Sequence, residues 1–392
     1  MISDDLLTRG VAELIVESSI RSRLASGKTL RLKQGFDPTK PDMHIGHAVG
    51  LRKLRTFQEL GHQVVLIVGD WTAQIGDPSG RDESRPRLDA DTVRANAATY
   101  LEQFFRVVDR SRTEVRWQSE WFGTFDLEQT LGLAGRFTLA HMLSHETFRN
   151  RYDAGAPVTI LELLYPMLQG YDSVAVNADI EFGGTDQKFN ILSGRTLMGQ
   201  LGALPQDVLL VPLIPGLDGR KMSKSFGNTV DILAAPFDMY SRVLAMPDEV
   251  LPVLLETLTD IAPAEIEEWQ RGMAQGNINP IEVKKRLARD IVTQFHSAQA
   301  AGESETAWVA RFSRRETPED MPDFVADGQI AIVDLLVGAG LARSRSEARR
   351  LIDGGGVRIE GEKVEGYDLT VGSERPVVVQ VGRRKFARVH GK

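Results

Sequence analysis

The sequence predicts an α/β fold: a split parallel sheet with a helical insertion, followed by an α-helical domain and a small α+β domain. Three observations predict it. Segments with strand and helix periods alternate through the first 231 residues, helical periods alone follow, and the tail from residue 329 mixes short helices and strands. The 392 residues provide for about two to four domains of ordinary size.

The first elements predict one βαβ unit. In Ser3–Ala25, leucines recur among polar residues at a helical period, so we expect a helix there. Thr29–Gln34 alternates apolar and polar residues, which predicts a strand that ends at Gly35. A helix from about 46 to 60 and a buried strand at Val64–Val68 follow. Strand, helix and strand in this order form a crossover that is nearly always right-handed.

A second βαβ unit is predicted further along the chain. It consists of a strand at Val174–Ile180, a helix from about 186 to 198 and a strand at Val208–Leu213. The stretch between the two units, about 97–171, is mostly helical in pattern and predicts an insertion between two half-sheets. We therefore assign residues 1–231 to one domain.

Helical periods dominate the middle of the chain. Val250–Leu258, Ala264–Met273 and Ile281–Ala301 each predict a helix, and together they define a helical domain at 232–320. The polar, acidic and proline-containing stretch that follows is typical of a linker, which we place at 321–328.

The tail, 329–392, is a small basic unit. Ile330–Ala342 and Ser344–Asp353 predict helices, and strands are expected around Val357–Ile359 and Val377–Val381. Twelve Lys and Arg against eight Asp and Glu give the tail a net charge of +4 and leave −11 for the rest of the chain. Seven cations are candidates for RNA phosphate binding: Arg343, Arg345, Arg349, Arg350, Arg383, Arg384 and Lys385. For any one of them a merely solvated surface is the alternative, but their density favours RNA.

Composition excludes several classes of function. The chain has no cysteine, so disulfide scaffolds, Cys-ligated zinc, iron–sulfur clusters and cysteine nucleophiles are excluded. Acidic residues in the first twenty positions do not fit a signal peptide, and apolar runs such as Val64–Val68 are too short to span a bilayer. We expect a cytoplasmic protein with no membrane partner.

Two motifs indicate anion chemistry. Gly35-Phe36-Asp37-Pro38-Thr39 and His44-Ile45-Gly46-His47 lie between a predicted strand and a predicted helix, where open α/β sheets bind ligands and a helix N-terminus favours phosphate. Chance or a metal pair are the alternatives for the two histidines, and no third metal ligand lies on the same element. The segment Gly216-Leu217-Asp218-Gly219-Arg220-Lys221-Met222-Ser223-Lys224-Ser225, in a loop at 216–228, fits a mobile anion clamp or an ordinary solvated loop.

Together the two motifs resemble the paired signatures of class I aminoacyl-tRNA synthetases. Further segments are similar to bacterial tyrosyl-tRNA synthetases: Gly76-Asp77-Pro78-Ser79-Gly80, Tyr165-X-X-X-Gln169-X-Tyr171-Asp172 and Gly183-Gly184-Thr185-Asp186-Gln187. Lys33-Gln34-Gly35 resembles the branch of that family with lysine where many members have tyrosine. The resemblance implies a Rossmann-like catalytic sheet, an anticodon-facing helical domain and an S4-like RNA-binding tail.

The resemblance also implies roles for individual residues. For tyrosine binding it implies Asp37, Asp77, Tyr165, Gln169, Asp172 and Gln187, with Asp172 accepting a hydrogen bond from the substrate phenol. For catalysis around the ATP phosphates it implies Thr39, His44, His47, Lys221 and Lys224. For ATP binding it adds Gly46 and the ribose contact Asp186, with Arg81 and Arg85 as supporting cations. No metal is expected on the protein itself.

The implied activity is that of a tyrosine–tRNA ligase, which forms tyrosyl-adenylate from L-tyrosine and ATP and transfers the tyrosyl group to tRNA(Tyr). Mg²⁺ is expected to arrive on the ATP phosphates, and a homodimer formed through the helical insertion is expected. Two alternatives stay open. One is tryptophan activation on the same fold; the other is an RNA-binding regulator without catalysis.

Overall fold

The computed structural model describes residues 5–79, 88–315, 321–326, 328–371, 376–382 and 385–391. The chain divides into two compact units, 1–304 and 305–392. Within the described ranges, no helix combines the length and the apolar character that crossing a membrane requires.

The first unit alternates strands and helices and ends in helices alone. Its strands are β1 (Glu13–Ile15), β2 (Arg31–Phe36), β3 (Gln63–Val68), β4 (Thr113–Trp117), β5 (Ile180–Gly184) and β6 (Asp207–Val211). Its helices in the sheet region are α1 (Asp5–Thr8), α2 (Glu17–Ala25), α3 (Ile45–Glu59), α4 (Thr72–Ile75), α5 (Ala90–Phe104), α6 (Ser119–Phe122), α7 (Leu127–Ala134), α8 (Leu139–Met142), α9 (Glu146–Asp153), α10 (Ile160–Ala175) and α11 (Lys188–Gln200). The helices after the sheet are α12 (Pro236–Leu244), α13 (Leu251–Leu258), α14 (Pro263–Ala274), α15 (Pro280–Phe295) and α16 (Ala298–Arg315), the last of which crosses the division between the units. Short 3-10 turns occupy Arg110–Arg112, Thr185–Gln187, Lys224–Phe226 and Asp248–Val250.

One sheet organises this unit, with strand order β1-β6-β5-β2-β3-β4. Only β1 is antiparallel to its neighbour, and the other strand pairs are parallel. α3 connects β2 to β3 and α11 connects β5 to β6, so the predicted pair of βαβ units on a split parallel sheet is confirmed. From the adjacent strands β2 and β5 the chain continues in opposite directions along the sheet. The gap between their carboxyl ends is therefore a switch point, where such sheets bind ligands.

The sheet is held by apolar burial on both faces. Val64–Val68 of β3 is buried throughout, and each such side chain contributes about 1.5–3 kcal/mol by leaving water. The Phe57 ring of α3 is fully buried and packs edge-on against Phe182 of β5, with 5.2 Å between ring centroids. This packing fixes the C-terminal part of α3 against β5, and at its start the backbone N–H of Ile45 donates to the carbonyl oxygen of Val230 at 2.9 Å.

Three predicted elements were wrong near the sheet. Ser3–Ala25 is not one helix, because Gly10 adopts φ +62° and β1 then pairs with β6. The strand predicted at Val174–Ile180 begins only at its last residue, Ile180, which opens β5. The residues before it form the last turn of α10 and the turn after it, where Asn177 has φ 49°, a conformation common after a helix end. The insertion predicted at 97–171 contains the edge strand β4, whose five residues are all half-buried and so lack an alternating pattern.

The helical middle of the chain differs from the prediction in two places. The single helix expected at Ile281–Ala301 is two helices, α15 and α16, because the backbone turns at His296 with φ −129° and ψ −94°. The sequence patterns also missed α12, which opens with a proline in its first turn.

The second unit combines helices with a small sheet, as expected for an α+β domain. Its elements are β7 (Asp323–Ala326), β8 (Ile330–Ala331), α17 (Ile332–Gly338), α18 (Arg345–Asp353), β9 (Val357–Ile359), β10 (Glu362–Lys363), β11 (Thr370–Val371), β12 (Val377–Val381) and β13 (Lys385–Gly391). Five strands pair in the order β10-β9-β12-β13-β7, and β8 pairs with β11. The linker predicted at 321–328 was wrong at its centre, because β7 pairs there in parallel with β13.

Candidate active site

A cavity of about 390 Å³ opens at the carboxyl ends of β2, β3, β5 and β6. Its walls contain the described residues predicted for small-molecule chemistry: Asp37, Thr39, His44, Gly46, His47, Asp77, Tyr165, Gln169, Asp172, Asp186, Gln187, Lys221 and Lys224. Arg81 and Arg85, expected near the ATP phosphates, lie outside the described residues. The fold thus brings motifs from both halves of the sheet into one site.

Asp172, on α10, presents a buried carboxylate to this cavity. The side chain is 2% exposed, and its Oδ2 accepts a hydrogen bond from Gln118 Nε2 at 2.8 Å. Its Oδ1 is buried and has no hydrogen-bond partner among the described residues. Burial raises the pKa of Asp172 to about 7, against the opposing effects of the Lys33 charge and the Gln118 hydrogen bond. An unpartnered buried acceptor is a place for a ligand donor.

A chain of hydrogen bonds orients this carboxylate. Gln118 Oε1 accepts from the backbone N–H of Thr72 at 3.0 Å, so the amide nitrogen of Gln118 is the group that donates to Asp172. Thr72 Oγ1 donates to Asp37 Oδ1 at 2.7 Å, and Tyr165 Oη donates to Asp37 Oδ2 at 2.9 Å. These bonds hold the side chains of Asp37, which follows β2, and Gln118, which follows β4, in fixed orientations.

A second polar group forms another wall of the cavity. Asp77 Oδ2 accepts from Gln187 Nε2 at 2.7 Å, and Asp77 Oδ1 accepts from the backbone N–H of Ser79 at 2.8 Å. Gln169 Oε1 is buried without a partner among the described residues. A carboxylate beside a free carbonyl oxygen suits an ammonium group, which has three donors and no acceptor.

The two histidines lie at the N-terminus of α3, in contact with each other. Their ring centroids are 4.0 Å apart, and His47 Nε2 lies 2.9 Å from Tyr100 Oη. Burial lowers the pKa of His47 to about 4 and lowers the pKa of His44 still further, with the loop lysines adding to both effects. Both rings are therefore neutral near pH 7 and can donate hydrogen bonds without carrying charge.

Gly46 keeps this arrangement close-packed. A Cβ at position 46 would lie 2.8 Å from His44 Nδ1, nearer than side-chain atoms approach one another. His44 Nδ1 is itself buried without a partner among the described residues. The helix start thus offers an unpartnered ring nitrogen at the positive end of the helix dipole, a combination that favours an anion.

Two lysines of the 216–228 loop reach the cavity from the other side. Lys221 Nζ pairs with Asp186 Oδ2 at 2.6 Å, and Lys224 Nζ pairs with Asp42 Oδ2 at 2.9 Å and with Asp231 Oδ1 at 3.6 Å. Both lysines line the same cavity as the two histidines, and their charges act on both rings.

Asn228 closes the base of this loop. Its Nδ2 donates to Asp218 Oδ1 at 2.6 Å and to the carbonyl oxygen of Lys221 at 3.1 Å, and its Oδ1 accepts from the backbone N–H of Ser223 at 2.8 Å. Because the side chain is 3% exposed, these bonds are sheltered from water and fix the direction in which the loop presents its lysines.

Comparison with known proteins identifies the family. The model of tRNA synthetases class I (W and Y) matches residues 25–313, and the model of the tyrosine–tRNA ligase SYY-like C-terminal domain matches residues 314–389. The tyrosine–tRNA ligase of Dehalococcoides mccartyi is 51% identical over 388 residues, 98% of each chain. That of Thermotoga maritima is 46% identical over 98% of this chain and 96% of its own. The chain belongs to the tyrosine–tRNA ligase family.

Solved structures of tyrosyl-tRNA synthetases share the fold of this family member. A C-terminally truncated mitochondrial enzyme of Aspergillus nidulans superposes with a TM-score of 0.64 at 20% identity, over 79% of this chain and 93% of that one. The Archaeoglobus fulgidus enzyme, solved with L-tyrosine, gives a TM-score of 0.62 at 21% identity, over 76% and 98%. At such identities the likeness concerns the fold alone.

Among the cavity residues of this tyrosine–tRNA ligase family member that escaped the sequence patterns are Asp42, Thr72, Tyr100 and Gln118. Gln118 directly follows β4, the strand that was not predicted, so its place at a strand end was hidden. Thr72 follows the predicted strand β3, and that position was an available signal. Tyr100 lies on α5, where only tertiary packing brings it to His47.

The basic residues of the tail gather on one part of the second unit. Arg343, just before α18, and Arg345, Arg349 and Arg350 along it are exposed. Lys385 Nζ donates to the carbonyl oxygen of Leu341 at 3.3 Å, so the start of β13 lies beside the turn that precedes them. Arg383 and Arg384 lie outside the described residues.

Proposed function

We propose that the cavity activates L-tyrosine with the residue roles given below. The chain is an aminoacyl-tRNA ligase that forms tyrosyl-adenylate and pyrophosphate from L-tyrosine and ATP and then transfers the tyrosyl group to tRNA(Tyr). The observation that supports tyrosine most directly is the buried, unpartnered Oδ1 of Asp172. A phenol O–H satisfies that oxygen, whereas phenylalanine leaves it desolvated and unpaired, at a cost of about 1–3 kcal/mol.

On the amino-acid side, the polar wall receives the α-amino group. Asp77, Gln169 and Tyr165 supply a carboxylate, a carbonyl oxygen and a hydroxyl oxygen within the same cavity. We assign the contact with the substrate carboxyl region to Gln187, which is bonded to Asp77, and Asp37 lines the same pocket. These contacts hold the substrate so that its carboxylate faces the nucleotide.

On the nucleotide side, the site works by fixed positive and polar groups. An oxygen of the tyrosine carboxylate bonds to the α-phosphorus of ATP, the bond from that phosphorus to the bridging oxygen breaks, and pyrophosphate leaves. Negative charge grows on the phosphoryl and leaving oxygens, so preorganised donors lower the barrier. We assign this role to Thr39, the neutral rings of His44 and His47, and Lys221 and Lys224.

Nucleotide binding completes the assignment. We assign to Gly46 the close approach of phosphate to the start of α3, and to Asp186, which pairs with Lys221 here, the contact with the ribose after Lys221 has moved to phosphate. Mg²⁺ enters as part of the ATP substrate, bound by phosphate oxygens and water. Arg81 and Arg85 remain proposed supporting cations.

We assign tRNA binding to the tail and to the helical domain, and we place the enzyme in the cytoplasm. Exposed arginines around α18, with Lys385 beside them, form a surface suited to the phosphate backbone. Binding of this kind weakens steeply as salt rises, because counterions are released.

The enzyme is proposed to act as a homodimer through the helical insertion. Large apolar side chains are exposed there: Leu127, Leu131, Leu139, Tyr152 and Ile160, of which Ile160 is 75% exposed. Apolar groups gathered on one inserted region are typical of a protein–protein interface.

The experiment that tests the assignment is amino-acid-dependent ATP–pyrophosphate exchange with each of the twenty amino acids. Exchange with tyrosine is expected. Exchange with tryptophan instead would overturn the specificity alone, and no exchange with any amino acid would indicate a non-catalytic RNA-binding protein.

A further inference from the structure

A buried ion pair lies beneath the proposed tyrosine pocket and is not used by the chemistry assigned above. Lys33 of β2 is 0% exposed and Glu181 of β5 is 2% exposed. The two residues are register partners in neighbouring parallel strands, and Lys33 Nζ lies 2.7 Å from Glu181 Oε1. Burying two charges costs several kcal/mol per ion unless hydrogen bonds compensate.

Hydrogen bonds compensate this pair fully. Lys33 Nζ donates to Glu181 Oε1, to Ser173 Oγ at 2.9 Å and to the carbonyl oxygen of Gln169 at 3.1 Å, which uses all three of its protons. Glu181 Oε2 accepts from Ser173 Oγ at 2.6 Å and from Gln206 Nε2 at 3.0 Å. Strands β2 and β5, helix α10 and the residue before β6 are thus joined in one hydrogen-bond network.

The network holds the turn of α10 that carries two of the cavity acceptors. Lys33 bonds the backbone of Gln169 and the side chain of Ser173, and Asp172 lies between them in the same turn. Gln169 Oε1 and Asp172 Oδ1 are both buried without partners among the described residues. Whether they can accept hydrogen bonds from a substrate therefore depends on the position of this turn.

The same network sets the charges that surround Asp172. The charged groups that act on it are Lys33 from β2, Glu181 from β5 and Asp37 after β2, and Gln118 donates a hydrogen bond to it from the residue after β4. Lys33 is the strongest influence that lowers the pKa of Asp172, and its effect is larger than that of either opposing charge, Glu181 or Asp37. The lysine is thus the main counter-charge for a carboxylate that must stay ionised to accept a hydrogen bond from the substrate phenol.

We propose that Lys33 is a positioning residue for tyrosine specificity: by binding Glu181, Ser173 and Gln169 beneath the pocket, it fixes the α10 turn and sets a positive charge behind Asp172. This proposal rests on the proposed role of Asp172 as the acceptor of the substrate hydroxyl. This role of Lys33 explains why a buried lysine occupies a central strand although its side chain does not line the cavity.

The test compares pH profiles of kcat/KM for tyrosine in ATP–pyrophosphate exchange, which report ionisations of the free enzyme. The variant Lys33→Met/Glu181→Gln removes both buried charges. The acid limb of its pH profile is expected to move to higher pH by about one unit. Its preference for tyrosine over phenylalanine at pH 7 is expected to fall about fivefold, because more of Asp172 is protonated. Ser173→Ala is the matched control, because it breaks the same network and changes no charge; its acid limb is expected to stay in place.

An acid limb of the double variant that coincides with that of the wild type would overturn the proposal, and so would an equal displacement in Ser173→Ala. If the double variant does not fold, Glu181→Gln is measured in its place. The acid limb of its pH profile is expected to move to lower pH, because a negative charge near Asp172 is lost, and an acid limb at the wild-type pH would reject the role of the network. Asp172→Ala separates this proposal from the proposed function. If that variant keeps the acid limb and the tyrosine preference, the hydroxyl-reading role of Asp172 fails rather than the role of Lys33.

Discussion

Replacing Asp172 by alanine tests the origin of specificity in this enzyme. The carboxylate is 2% exposed, one oxygen is bonded to Gln118, and the other is left for the substrate. A hydrogen bond to a charged group contributes about 1.5–3 kcal/mol. Its loss lowers the ratio of kcat/KM for tyrosine to that for phenylalanine by roughly 10- to 150-fold.

The assay is pyrophosphate exchange with each amino acid at saturating ATP, near pH 8. At that pH Asp172 is mostly ionised, since its pKa is about 7. Because the raised pKa leaves the carboxylate protonated below that value, the wild-type kcat/KM for tyrosine is expected to fall as the pH drops through 7. Above pH 5 the fall in kcat/KM is not caused by protonation of His47, because burial lowers the pKa of His47 to about 4.

Asp172→Asn is the matched control for packing. The amide keeps the volume and can accept from Gln118 through its oxygen, which turns a donor toward the substrate. We expect the tyrosine preference to fall in this variant as well. A ratio within about threefold of wild type in both variants, less than about 0.7 kcal/mol, would refute Asp172 as the hydroxyl acceptor.

Three further outcomes are expected. Lys224→Ala is expected to slow adenylate formation by about 10²- to 10³-fold in single-turnover assays, as for the loss of one transition-state donor, with little change in the dissociation constant for tyrosine. The control is Lys284→Ala, which breaks the ion pair with Asp248. Equal losses of rate and of tyrosine binding in Lys224→Ala would contradict the role of the loop lysines as an anion clamp. Deleting 329–392 is expected to abolish tRNA charging and spare pyrophosphate exchange; joint loss of both activities would make the tail part of the catalytic unit. Leu131→Glu is expected to shift the molar mass measured by light scattering from dimer to monomer, and Leu204→Glu, also exposed, is not; an unchanged dimer in the first variant would move the interface elsewhere.

Local patterns predicted those parts of the fold whose signal is contained in a short segment. The start of α3 and the strands β3, β9 and β12 lie within one residue of their predicted positions, because a buried strand or an amphipathic helix shows its period in its own residues. β4 and β7 were missed for the opposite reason. They contribute few buried side chains and are defined by pairing with β3 and β13.

The sequence by itself determined the family resemblance, the chemistry of the phosphate side and the separation of a basic tail from an acidic body. These depend on residue types at fixed spacings, as in His44–His47 and Lys221–Lys224. Only the tertiary structure decided what surrounds Asp172. Lys33 and Glu181 lie on two separate strands and Gln118 directly follows a third, and their influence arises from burial and from distances of a few ångströms. Burial and proximity of this kind exist only once the sheet has formed, so no spacing in the chain could display them.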